Sequence, residues 1–128
     1  MATLKIANFT TIVTIEVEIS KGIGIHLIGI PDLCVRENLL RIVTALQSAG
    51  VHIPAKKIII NCSAVDMYGN PKRIRHTGSL DFPIAVGIIK ELGLLADGII
   101  TEPYMAGGQL MLDGTILNTE FNLREVVK

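Results

Sequence analysis

The stretch VTIEVEISKG, residues 13–22, alternates Val13, Ile15, Val17 and Ile19 with Thr14, Glu16 and Glu18. Successive side chains of an extended chain point to opposite faces, so this period of two predicts a strand with one covered and one wet face. Ser20-Lys21-Gly22 reads as a turn. Ile23, Ile25 and Leu27 alternate again beyond it, which predicts that the two runs pair as a hairpin.

Further along, Pro31-Asp32 opens a helix, with Asp32 placed to accept free amide hydrogens at that end. Val35, Leu39, Ile42, Leu46 and Ala49 recur at spacings of four, three, four and three, which sets them on one helical face; Gly50 is placed to end the helix in a left-handed conformation. Ile58-Ile59-Ile60 is continuous and β-branched, the pattern of a strand covered on both faces. DMYGNPKRIRHT, residues 66–77, has no periodicity and reads as a long exposed loop. A second helix starts near Ser79 or Asp81, tolerates Pro83 in its first turn, buries Ala85, Ile88, Ile89 and Leu92, and stops at Gly93. A strand is expected near Ile99-Ile100. Residues 109–112 and 115–117 flank Asp113-Gly114, a pair suited to a two-residue hairpin turn, and the tail from Asn122 to Lys128 reads as helical. The order β-β-α-β-α-β-β-α predicts an α+β fold, a mixed sheet with helices on one side.

The whole chain bounds the function. Its 128 residues fit one domain, and 49% apolar content supports one continuous core. Twelve Lys plus Arg balance 12 Asp plus Glu, which excludes a nucleic-acid footprint spread over the whole surface but not a local basic patch. Low aromatic content and the absence of Trp count against a base-stacking surface. Cys34 and Cys62 lack CxxC spacing and read as reduced thiols; His26 and His52 have no second ligand at metal spacing, so no metal site is expected. The amino end has no secretory pattern, and the apolar stretch after Gly22, broken by His26 and Pro31, is too short to cross a bilayer. A cytoplasmic protein with no membrane partner is expected.

Four segments, in order, resemble one family. VTIEVEISKG with LIGIPDLCVRENLLRIVTALQSAG (residues 27–50), IPAKKIIINCSAVD (53–66), SLDFPIAVGII (79–89) and GGQLMLDGTIL (107–117) look like the start of the ComM and YifB magnesium-chelatase-like (ChlI-like) proteins. KRIRHTG, residues 72–78, stands where that family carries a Lys-Glu-Gly segment. The resemblance implies that residues 1–128 form a single amino-terminal domain of a longer protein. It implies the fold of the second domain of ribosomal protein five of the small subunit, shared with the Lon proteolytic domain. It also implies a hexameric AAA+ motor downstream that takes ATP and Mg, and that in ComM drives branch migration of DNA. The domain itself is then a non-catalytic accessory or assembly domain, with the AAA+ module, neighbouring subunits and DNA as its partners.

The residues test this chemistry directly. A phosphate-cradling GxxxxGK followed by Ser or Thr needs a Gly-Lys pair, and the chain contains none, so no nucleotide cofactor is expected in this segment. Lon-like hydrolysis is the alternative. The resemblance places its Ser at Ser79 and its Lys near Leu123, between Asn122 and Arg124; an arginine stays protonated and cannot act as base. Ser79 therefore reads first as a helix cap, with His76 and Asp81 nearby as conceivable triad partners. Lys72, Arg73, Arg75 and His76 are the surface candidates, suited to phosphates or to an acidic partner. A stand-alone interaction module is the third reading.

Overall fold

The computed structural model describes residues 1–8 and 10–128. Five strands and two helices follow the order β1 (Ala2–Ala7), β2 (Thr11–Ser20), β3 (Gly24–Ile28), α1 (Asp32–Ser48), β4 (Lys57–Asp66), β5 (Pro71–Lys72) and α2 (Asp81–Glu91). They form the expected α+β arrangement. The sheet runs β1-β2-β4-β3, with β5 short and also on β4. It is mixed, because β3 lies parallel to β4 while the other pairs are antiparallel.

β1 was not foreseen, although Ala2 and Leu4 are buried and Thr3 and Lys5 face away from the core. It pairs along its length with β2, from Ala2 opposite Val17 to Ala7 opposite Ile12.

The predicted hairpin between the first two runs does not form. β4 lies between β2 and β3, and its ten residues pair with β2 from Lys57 opposite Ser20 to Asp66 opposite Thr11. Two physical features account for this. The chain leaving β3 enters a 17-residue helix, which is a crossover of the length that parallel neighbours need. The connection from β2 also passes over the start of β4. Gly22 has φ 129°, and a Cβ there would lie 3.0 Å from the Cβ of Lys57. Gly29 ends β3 equally tightly: φ is 95°, and a Cβ would lie 1.7 Å from the carbonyl oxygen of Cys62.

The inward face of the sheet carries Leu4, Ile15, Val17, Ile58 and Ile60, each at 0–1% exposure. Both helices cover it, α2 across β1 and β2 and α1 beside α2 and β3. The opposite face is open. Glu18 and Ser63 are exposed there and Ile59 is half-buried, so β4 is covered on one face rather than two.

α1 buries Ile42, Leu46 and Ala49 as the spacing predicts, with Val35 and Leu39 half-buried. Its N-cap is Pro31 without a side-chain cap, so Asp32 makes no capping bond. Gly50 closes the helix with φ 84°. α2 is buried from Asp81 through Ile89, far beyond a single face. The sheet lies on one side, and on the other Phe82 meets Phe121 edge-on at 5.9 Å. A helix enclosed on all sides is apolar on all sides.

The carboxy-terminal third departs most from expectation. Ile99-Ile100 is not a strand, and Ile100 is 80% exposed. The hairpin around Asp113-Gly114 is reduced to one bridge, Leu110 to Ile116, because only Gly114 takes a positive φ and the chain turns again at Asn118. The tail is one 3-10 turn, Leu123–Val126, capped reciprocally by Asn122 and Glu125.

Candidate functional site

Residues 66–77 are not a loose loop. The Asp66 carboxylate accepts from the amides of Tyr68 and Asn70, both at 2.9 Å, and the Asp66 amide donates to the Asn70 carbonyl. These bonds, that of Asn70 first, hold the Asp66 carboxyl below the usual carboxylate range. The turn returns the chain as β5 against Val65 and Ala64. Ile74 and Thr77 then plug into the core, so Arg73, Arg75 and His76 are left facing outward.

The turn between β1 and β2 faces these cations, because Thr11 pairs with Asp66. The Asn8 side chain braces that turn by accepting from the Thr11 amide and hydroxyl, both at 2.8 Å. Two hollows lie between the walls. One of about 200 Å³ is lined by Asn8, Thr11, Arg73, Arg75, His76 and Ser79, among others. The other, about 400 Å³, is bounded by Thr10, Met67, Tyr68, Lys72, Arg73 and Arg75 among its walls. Arg73 and Arg75 border both. Lys72 Nζ lies 3.9 Å from Asp66 Oδ2; among the described residues, Arg73 and Arg75 make no ion pair within 4.0 Å. All four predicted basic residues therefore meet at one end of the sheet. The facing wall of Asn8, Thr10 and Thr11 was not foreseen, nor was Tyr68 at the tip.

Ser79 shares this end but caps no helix. It sits in a 3-10 turn, Gly78–Leu80, and its hydroxyl donates back to the His76 carbonyl at 2.9 Å. The N-cap of α2 is Leu80, without a side-chain bond. No side-chain base hydrogen-bonds Ser79 among the described residues. Leu123 is buried, and Arg124 donates to the Ser48 carbonyl at 2.7 Å, at the carboxyl end of α1. The Asp81 carboxylate turns inward. It accepts from Arg41 Nε at 2.6 Å, Asn38 Nδ2 at 2.7 Å and the Leu110 amide at 3.1 Å. The structure thus brings Ser79 and His76 together but directs Asp81 elsewhere.

This buried cluster was not foreseen, yet it left a signal. Asn38 lies on the apolar stripe of α1, three residues after Val35 and four before Ile42, and is fully buried. Its Nδ2 also donates to the Thr77 carbonyl at 2.8 Å, while its Oδ1 has no partner. Burial pushes the Asp81 carboxyl above its ordinary range, against the lowering influence of Arg41 and the Leu110 amide. The cluster ties α1, the start of α2 and the 108–110 segment together.

Burial likewise pushes the Cys62 thiol up to about 12, and both cysteines are free. His26 and His52 are exposed, and no group of three potential metal-ligating side chains occurs among the described residues. No helix among them is long and apolar enough to cross a membrane.

A family model described as subunit ChlI of Mg-chelatase matches residues 15–128. YifB of Escherichia coli (strain K12), described as uncharacterized, is 35% identical over 105 residues, covering 81% of this chain and 19% of that protein. YifB of Salmonella typhimurium is 36% identical over the same span. Competence protein ComM of Haemophilus influenzae is 40% identical over 79 residues, 61% of this chain and 14% of that protein. The chain thus spans less than a fifth of the length of the YifB relatives it matches. Matched from residue 15 to residue 128, a span that holds β3, β4, β5, both helices and the basic residues of the cleft, the chain belongs to the Mg-chelatase subunit ChlI family, alongside YifB and ComM.

Proposed function

We propose that this chain is a non-catalytic accessory domain of a ComM-type, magnesium-chelatase-like AAA+ ATPase, and that its basic cleft holds the phosphate backbone of the DNA on which the motor acts. ATP and Mg belong to that downstream motor, and the domain packs against the motor and neighbouring subunits in the cytoplasm. The mixed sheet with both helices on one face is compatible with the Lon-like, ribosomal-protein-five-like fold that the family resemblance implies. Two features favour an accessory role over hydrolysis: the Ser79 hydroxyl is turned back onto the His76 carbonyl, and the chain has no Gly-Lys pair for a phosphate loop.

The observation that carries the proposal is the shared border of the two hollows, where Arg73 and Arg75 stand without carboxylate partners among the described residues. A guanidinium binds phosphate through a planar fork of donors, and an unpaired one need not first give up a carboxylate. The test is DNA binding by fluorescence anisotropy across a salt series. Loss of two phosphate contacts in Arg73→Ala with Arg75→Ala is expected to weaken binding and to flatten the slope of log K against log salt by about 1.8 on duplex DNA. Unchanged affinity and slope in the double variant would overturn the reading.

A further inference from the structure

Tyr68 occupies the tip of the turn between β4 and β5 and is 87% exposed. Met67 beside it is 76% exposed. An aromatic ring left this open on a flexible loop would signify little. Here the Asp66 carboxylate accepts from the Tyr68 amide itself, and the Gly69 amide donates to the Asp66 carbonyl at 3.1 Å. The ring is therefore carried on a braced backbone. It borders the same hollow as Lys72, Arg73 and Arg75, with the Thr10 and Thr11 walls opposite.

A π-face and unpaired guanidinium groups around one hollow match the two parts of an unpaired nucleotide, its base face and its phosphate. In a duplex the base faces are stacked on one another and closed to a side chain at the rim. We propose that this hollow binds single-stranded nucleic acid, with a base stacked on Tyr68 and the adjoining phosphates held by Arg73 and Arg75. The proposal rests on the reading of the cleft as a phosphate-binding surface and adds to it a preference for unpaired strands. A peptide ligand is disfavoured, because an acidic peptide would satisfy the guanidinium groups without using the exposed ring.

Anisotropy of a labelled oligothymidylate and of a duplex of equal length, with the 128-residue chain, tests the proposal. Tyr68→Ala is expected to weaken single-strand binding about tenfold and leave duplex binding unchanged, while Tyr68→Phe, which keeps the ring, retains the wild-type affinity. Tyr68 is exposed, so neither substitution touches the core. If Tyr68→Ala changes nothing while Arg73→Ala with Arg75→Ala weakens both ligands alike, the single-strand preference is wrong and the phosphate-binding surface stands. If the arginine double variant also binds as the wild type does, both readings fall.

Discussion

In residues 2–92, apart from Asn38, Thr77 and Asp81, the buried side chains among the described residues are apolar, and many recur with the period of the element that carries them: Ile15 and Val17 on β2, Ile58 and Ile60 on β4, Ile42 and Leu46 on α1. In residues 94–128 the regular ladder is replaced by single ties. The Gly108 amide donates to the Ser79 carbonyl, the Leu123 amide to the Gly114 carbonyl, and the Lys128 amide to the Leu94 carbonyl. The first region is held by area removed from water, spread over many residues. The second adds to its buried anchors Leu110, Leu123 and Val126 a set of irregular directed bonds, each of which exposes or orphans specific groups when broken. Asp81 belongs to both, since it starts α2 and also accepts from Leu110.

That shared position makes Asp81 the sharpest test of the contrast. Asp81→Ala leaves the buried Asn38 amide, the Leu110 amide and the Arg41 guanidinium without their acceptor. Breaking a buried ion pair from one side costs about 3–5 kcal/mol, and the Arg41 side chain, 22% exposed, keeps some water, which places the loss near about 3 kcal/mol. Denaturant unfolding measures the total. Amide exchange measures where it falls: residues 108–126 are expected to lose protection before β2 and β4. Equal loss in both regions would erase the distinction.

Gly87→Ala probes the first region alone. The added Cβ would lie 2.7 Å from Leu4 Cδ1 and 2.9 Å from Val17 Cγ2, where α2 meets the sheet. Overpacking a closed core of this kind costs about 1–3 kcal/mol, and the denaturation midpoint is expected to fall with one cooperative transition retained. Asn122→Ala probes the second region. It removes the cap on the Arg124 amide and the bond to the Asp113 carbonyl. A loss of about 1 kcal/mol is expected, with exchange accelerated in residues 113–126 and unaltered in the sheet. A global effect as large as that of Gly87→Ala would mean that the tail, which buries Leu123 and Val126, unfolds together with the sheet rather than before it.

The same contrast explains what could be read from the sequence. β2 and α1 were legible because their buried residues lie on one face at a fixed period, and α2 because an apolar run is bounded by Asp81 and Gly93. β1 was legible in principle, from Ala2, Leu4 and Ile6 against Thr3 and Lys5, but its six residues carry no Gly or Pro to mark the strand's bounds. The pairing of β3 was not legible. Alternation in Ile23, Ile25 and Leu27 does not say which strand lies alongside, β4 comes nearly thirty residues later, and Ile23 itself falls outside β3 and is 85% exposed. The hairpin expected at Asp113-Gly114 is present only as a short pair, with the Leu117 amide donating to the Gln109 carbonyl and the Met111 amide to the Thr115 carbonyl, because Gly114 but not Asp113 takes the positive φ that a two-residue turn of this kind needs at both positions. At the candidate site, the four basic residues were visible close together in the sequence. The opposing turn at Asn8 to Thr11 was not, since it meets them only through the register of β2 with β4. Tyr68 was passed over because aromatic residues are scarce in the composition as a whole, which says nothing about where the few are placed.

The central position of β4 sets an order on synthesis. As the chain leaves the ribosome, β1 and β2 are complete together and pair as neighbours in sequence. β3 emerges next with no strand to join, since its hydrogen-bonding partner is residues 57–61. Until those residues appear, Ile25 and Leu27 have no strand alongside and the apolar stripe of α1 has no finished sheet to cover. The nascent chain therefore passes through a stage in which about half of these 128 residues are made and the sheet is limited to one hairpin, a stage when exposed strand edges favour association with other chains. One strand, inserted late between two earlier ones, turns a two-stranded ribbon into the floor on which both helices rest.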